Sequence, residues 1–245
     1  MPRFFMAGAN FAGGAALITG ADADHIRVLR LQIGDSVILS DGEGTDYECR
    51  LTHLGKGAVE AEVLGSRRSP SEPSVSAVVL AGMPKGERSD YTVQKCTEAG
   101  ASEICFFLSS RCVCRPAPET FPKKCERWQR IAEEAAKQSG RGIIPKVRIL
   151  SDFGQALDLA AKQELGLFFY ETGADRVGLS RALSGIHPAT AAIITGPEGG
   201  FDPAEAELAR RVGLTVCAMG PRILRCETAP VDALTALMLT TGNLD

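Results

Sequence analysis

Near residue 74 the hydrophobic pattern of the chain changes period, and few folds accommodate both halves. Upstream, "DSVILSDGEGTDYECRLTHLGKGAVEAEVLGS" alternates apolar and polar residues. Asp41-Gly42 and Gly55 to Gly57 separate "SVILS", "DYECRLTHL" and "AVEAEVL", where hairpin turns belong. The reading is a small antiparallel barrel or sandwich, with "DADHIRVLR" as a short helix inserted before it. The stretch "GSRRSPSEPS" reads as a linker, which divides the chain into domains 1–73 and 74–245.

Downstream, strands alternate with helices. "SVSAVVLAG", "EICFFLS", "LGLFFY", "AAIITG" and "LTVCAMG" are apolar runs of strand length. Between them, "SDYTVQKCTEAG" reads as a helix opened by a Ser/Asp cap and closed by Gly100. "FPKKCERWQRIAEEAAKQSG" places Trp128, Ile131, Ala132 and Ala135 on one helical face. "DFGQALDLAAKQ" is another helix, and Asp202-Pro203-Ala204-Glu205 opens the next with a cap, a first-turn proline and a capping-box acid. "TAPVDALTALMLTTG" is the last, and its apolar stripe suits either a subunit interface or a cover for the sheet. This alternation implies an α/β domain with a largely parallel sheet covered on both faces.

In such a sheet ligands bind beyond the carboxyl ends of the strands. Three loops fit: "FFYETG" at 168–173, "TGPEGGF" at 195–201 and "MGPRILRCETAP" at 219–230. The glycines let backbone approach a ligand closely, although GPEGG alone is equally a tight strand-to-helix turn. Neither a phosphate loop nor a dinucleotide fingerprint occurs.

Composition narrows the function. Eight cysteines form no CxxC pair, and three isolated histidines form no metal-binding spacing, so reduced thiols and no metal are expected. No apolar run reaches bilayer length and no signal-peptide core opens the chain, so no membrane partner and a cytoplasmic location are expected. The net charge is −3, but ten basic and four acidic side chains crowd residues 111–148. That segment is a candidate footprint for a polyanion, or a solvated helix face with its loops.

Taken together, "HIRVLR", "KGERSDYTVQKCTEAGA", "RIAEEAAKQSGR", "IITGPEGGF" and "LRCETAP" preceded by Gly-Pro-Arg make the chain resemble the SPOUT knotted RNA methyltransferases. The resemblance is specifically to the RsmE-type 16S ribosomal RNA uridine N3-methyltransferases, and it runs over essentially the whole chain. It implies a C-terminal α/β trefoil-knot methyltransferase domain behind a PUA-like β-barrel. It also implies that S-adenosylmethionine is held by the three loops: Tyr170 and Glu171; Thr195, Gly196, Pro197, Glu198, Gly199 and Gly200; and Met219, Gly220, Ile223, Leu224, Arg225 and Thr228. Backbone around Met219, Ile223 and Leu224 is expected to read the adenine edge. Cys226 and Pro230 depart from the family pattern, where threonine and a small residue are more usual.

The same resemblance implies 16S ribosomal RNA in the small subunit as partner, a homodimer, and an RNA groove between the domains. Arg27, Arg30, Lys95, Arg111, Arg115 and Arg141 are the expected RNA contacts, although Arg27 and Arg30 also suit an exposed helix face. For the chemistry, Arg225 is expected to stabilise negative charge on a uracil oxygen, or else to pair with Glu227 or Glu198. Glu227 leads the candidates for general base, with Glu198 and Glu133 beside it; Glu227 also suits a cap on the last helix. Two rivals stay open: a SPOUT methyltransferase for another RNA nucleotide, and a non-catalytic ribosome-assembly RNA-binding protein.

Overall fold

A computed structural model of the chain describes residues 1–6, 11–173 and 175–245. They form two compact units, Met1–Glu72 with Ala136–Ile144, and Pro73–Ala135 with Pro145–Asp245. In the first, β1 (Arg3–Phe5), β2 (Ala15–Thr19), β3 (Ser36–Ser40), β4 (Thr45–Leu54) and β5 (Ala58–Arg68) make one sheet in the order β1-β3-β4-β5-β2. The two glycine turns join antiparallel pairs, β3 with β4 and β4 with β5. The sheet is mixed rather than wholly antiparallel, because β1 runs parallel to β3. A parallel pair needs a crossover connection, and β2 with helix α1 (Gly20–Val28) supplies it.

Alternation decides the core of this unit. Val59 and Ala61 point inward from β5 while Glu60 and Glu62 face out, and Ile18, Leu39, Leu51 and Ile26 of α1 close the cluster. The segment 136–144 packs here as well. Arg141 pairs with Glu72 at 2.7 Å, their side chains 4% and 2% exposed. Glu72 Oε1 also accepts the Gly142 and Ile143 amides at 2.7 and 2.9 Å.

The second unit begins with β6 (Ser76–Gly82), α2 (Arg88–Glu98), β7 (Glu103–Phe107), α3 (Phe121–Ser139), β8 (Lys146–Leu150) and α4 (Phe153–Ala160). It continues through β9 (Leu165–Phe169), β10 (Val177–Gly178), α5 (Leu179–Ala182), β11 (Thr190–Thr195), α6 (Pro203–Arg211), β12 (Thr215–Ala218) and α7 (Thr228–Thr240). Its seven strands lie in the order β10-β12-β9-β11-β6-β7-β8, all parallel. Val78 and Leu80 of β6 join Phe107, Phe168, Ile194 and Phe201 in a cluster with α4 and α6. Ala77, Val79 and Ala81, equally buried, alternate to the other face, and α7 packs against β6, β11 and α2.

Local signals account for most helix ends. The capping box of α6 is complete: the Ala204 amide donates to Asp202 at 3.0 Å and the Asp202 amide to Glu205 at 2.8 Å. Helix α2 starts at Arg88, so Ser89 and Asp90 lie inside it rather than capping it. Asp90 is instead occupied by the Trp128 indole N–H, at 3.0 Å, and by Arg127. The apolar stripe of α7 is used within the chain, with Ala233, Leu234, Leu237 and Met238 all buried.

Candidate active site

β9, β11 and β12 lie side by side in the sheet, with β9 in the middle, and the segments at their carboxyl ends, taken in chain order, enclose a cavity of about 360 Å³. Tyr170 and Glu171 come from the first, and Thr195, Gly196, Pro197, Glu198 and Gly200 from the second. Met219, Gly220, Ile223, Leu224, Arg225 and Glu227 come from the third. The strand pattern thus brings the three loops together as expected for ligand binding at strand ends.

The glycines are required mainly by packing. Gly200 has φ +65°, and a Cβ there would lie 2.4 Å from Glu171 Oε1. Gly199 faces away from the cavity toward Arg111, whose carbonyl oxygen would be 2.8 Å from an added Cβ. Gly82, at the end of β6, is a further requirement: its Cβ would meet the Pro197 nitrogen at 2.5 Å. Bare backbone is therefore needed so that 196–200 can fold against Glu171, Arg111 and β6. Tyr170 is held by its amide to the Cys217 carbonyl at 3.0 Å, and Arg176 fixes the same loop through the carbonyls of Glu171 and Gly173 at 2.7 and 2.8 Å.

Arg88 organises the polar wall. Its guanidinium pairs with Glu198, while its Nε lies 3.6 Å from Glu227 Oε2. Glu198 also accepts the Lys85 amide at 2.8 Å. Burial by itself pushes the Glu198 carboxyl up, but the hydrogen bonds from the Lys85 amide, its own amide and Arg88 outweigh it and hold the group below the ordinary range. Glu198 is thus an ionised anchor for Arg88, not a base tuned toward neutral pH. Glu227 accepts the Cys226 thiol at 3.2 Å and makes no side-chain cap to α7. Burial first, and then the hydrogen bond to Glu227, push the Cys226 thiol up to about 12.

Arg225 lines the cavity and is exposed; neither Glu198 nor Glu227 pairs with it, since Arg88 takes both. Its carbonyl accepts the Thr228 and Ala229 amides at 3.0 Å, which starts α7 and fixes the backbone that carries it. Thr195 also lines the cavity, and its hydroxyl is buried with no hydrogen-bond partner among the described residues. Thr228 lines an adjoining recess instead of the cavity, and Glu133 on α3 lines neither. Arg88, Gly82 and Arg176 were not among the expected site residues. "KGERSDYTVQ" marks Arg88 only as part of a motif, because its acidic partner lies 110 residues away.

The expected RNA contacts fall into two groups. Arg27 pairs with Asp24 at 2.6 Å, Lys95 with Glu98 at 2.9 Å and Arg111 with Asp202 at 3.2 Å. Arg115 donates to the Ser109 and Ser110 carbonyls at 2.6 and 2.9 Å, and Arg30 sits at φ 56° just beyond α1. These side chains reach solvent, and exposed ion pairs of this kind exchange partners at little cost. Arg141 is the exception and is corrected: it is 3% exposed and is committed to Glu72, so it braces the first unit.

Among the described residues no helix is long and apolar enough to cross a membrane, and no group of three or more His, Cys, Asp or Glu could hold a metal ion. The model of an RNA methyltransferase domain matches residues 71–238, and that of an RNA methyltransferase PUA domain matches residues 18–64. Ribosomal RNA small subunit methyltransferase E of Bacillus subtilis is 35% identical over 93% of this chain and 91% of its own length. The crystal structure of the protein of that name from Neisseria gonorrhoeae, bound to S-adenosyl methionine, superposes with a TM-score of 0.78 at 32% identity over 97% of both chains. A methyltransferase from Legionella pneumophila in complex with the same cofactor gives 0.79 at 27% identity over 97% of this chain and 96% of its own. With the matched domains in this order, and relatives aligned nearly end to end, the chain belongs to the ribosomal RNA small subunit methyltransferase E family.

Proposed function

We propose that this protein methylates N3 of a specific uridine in 16S ribosomal RNA, on the small ribosomal subunit or its precursor in the cytoplasm, with S-adenosylmethionine as donor. The observation that carries the reading is the three-loop cavity lined by Thr195, whose buried hydroxyl has no hydrogen-bond partner among the described residues. A buried hydroxyl is costly without a partner, so the site fits a ligand that brings a polar group there. Its volume lies within the roughly 300–1,000 Å³ of small-molecule sites. Leu224, Met219 and Phe201 line it with apolar side chains that suit an aromatic ring, and the backbone around Met219, Ile223 and Leu224 is assigned to the edge of that ring. When bound, S-adenosylmethionine supplies an electrophilic methyl carbon on a cationic sulfur.

The remaining tasks fall to this chain. Uracil N3 carries a proton that must leave, and Glu227 is the carboxylate we assign to accept it. It lines the cavity and is held only loosely by Arg88, whereas Glu198 is fully engaged. Arg225, exposed at the cavity wall and fixed through its own carbonyl, is assigned to the negative charge that develops on the uracil oxygens. Cys226 stays protonated, so no thiolate competes for the methyl group. Residues 1–73 form the RNA-binding PUA-like domain and 74–245 the methyltransferase domain in this reading. Arg27, Arg30, Lys95, Arg111 and Arg115 contact RNA phosphates.

Family resemblance extends the reading to a homodimer, for which sedimentation at micromolar concentration should show a species of twice the chain mass; monomer alone removes it. For the reaction, the protein is incubated with labelled S-adenosylmethionine and either small ribosomal subunits lacking the modification or bulk transfer RNA. Label on the subunit RNA and none on transfer RNA is the expected result. Label on transfer RNA, or bound cofactor with no transfer to either, counts against it.

A further inference from the structure

Beside the cavity lies an open recess lined by Lys85, Gly86, Glu87, Arg88, Tyr91, Glu227 and Thr228. Arg88 and Glu227 line both spaces, so their ion pair is the wall that the two share. The pair is loose, at 3.6 Å between Arg88 Nε and Glu227 Oε2, because the tighter partner of Arg88 is Glu198. A molecule lying in the recess therefore presents its edge to the same carboxylate that faces the cavity.

The recess holds an unusual side chain. Of ten Phe, three Tyr and one Trp, Tyr91 alone is exposed, at 46%, while every other aromatic ring is buried or half-buried. A lone exposed apolar residue means little by itself. This one stands on the first turn of α2, one turn from Arg88, at the rim of the space adjoining the cavity. Lys85, also exposed, commits its backbone amide to Glu198 and lines the same recess. A flat aromatic face, a cation and a hydrogen-bonding wall together suit a planar base attached to a phosphate.

We propose that this recess receives the target nucleobase: the base stacks on Tyr91, its backbone phosphate lies near Lys85, and its N3 edge meets Glu227 at the shared wall. The proposal rests on the methyl-transfer reading and adds to it a place for the RNA base and a residue that selects a stacked ring. Tyr91 is a binding residue here and takes no part in cofactor contacts, because it lines only the recess.

The test compares wild type with Tyr91→Ala and Tyr91→Phe, using labelled S-adenosylmethionine and unmodified small subunits. Loss of a base stack should raise the KM for subunits about tenfold in Tyr91→Ala, and Tyr91→Phe should stay close to wild type. Cofactor affinity by calorimetry and the sedimentation coefficient should not move in either variant. An unchanged KM and kcat in Tyr91→Ala overturns the proposal, as does a change of sedimentation that accompanies the lost activity, since the recess is then covered by a second copy. Failure of the wild type itself to transfer label overturns the underlying methyl-transfer reading, and this proposal with it.

Discussion

At the scale of single residues, Arg88 holds the cavity's polar wall together. It bridges Glu198 from the 196–200 loop and Glu227 from the segment before α7, so one guanidinium ties two loops that the chain builds far apart. Replacing it with alanine takes the shared cation from both carboxylates. Arg88→Ala should therefore weaken S-adenosylmethionine binding in a calorimetric titration, and Arg88→Lys should restore part of the affinity; equal binding by all three removes Arg88 from this role. Arg225 has the opposite profile. Arg225→Ala should leave cofactor affinity within twofold and lower the single-turnover methylation rate by about a hundredfold, the usual effect of losing one charge-stabilising donor. The pH dependence follows from Glu198, whose folded carboxyl is held below its ordinary value of 4.5. Its contribution to stability is fully present above that ordinary value and is lost as pH falls through the lower folded value. Cofactor binding followed by fluorescence should accordingly hold steady down to the ordinary carboxylate range and fail only in stronger acid. These roles were only partly legible in the sequence. Arg225 and Glu227 stand in a contiguous motif, but whether they pair with each other depends on Arg88, which periodicity cannot bring to them.

At the scale of elements, the loops were legible because each follows an apolar strand, and the purpose of their glycines was not. Gly200 needs its positive φ and its clearance from Glu171, yet Gly82 matters as much, since an added methyl would meet the backbone of Pro197. Gly82→Ala should destabilise the protein by about 1–3 kcal/mol through overpacking, measured by chemical denaturation, and should weaken cofactor binding by displacing the 196–200 loop. Wild-type stability and binding in that variant contradict the packing argument. Long periodic segments such as α3 and α7, and the capping box of α6, announced themselves. β8 and β10 did not, because "KVRIL" places two basic residues in a five-residue edge strand and "VG" is too short to carry a period. The parallel pairing of β1 was likewise hidden, since a three-residue strand says nothing about its partner's direction.

At the scale of the whole molecule, the change of rhythm near residue 74 separates a small mixed sheet from a seven-stranded parallel one, and the matched domains follow the same order. The excursion of 136–144 into the first unit could not be read from a basic helix end, because charge suggests solvent until a buried partner is known. That partner is Glu72, and the pair is almost wholly enclosed. Arg141→Ala should cost about 3–5 kcal/mol in stability by stranding a buried carboxylate, without changing the salt dependence of RNA binding. A stable variant with a shallower salt slope reverses that assignment. The most direct measurement is to methylate small ribosomal subunits lacking the modification with labelled S-adenosylmethionine, digest the RNA to nucleosides and identify the labelled one by mass spectrometry. A single N3-methyluridine is the predicted result; label in any other nucleoside, or none in the RNA, contradicts it.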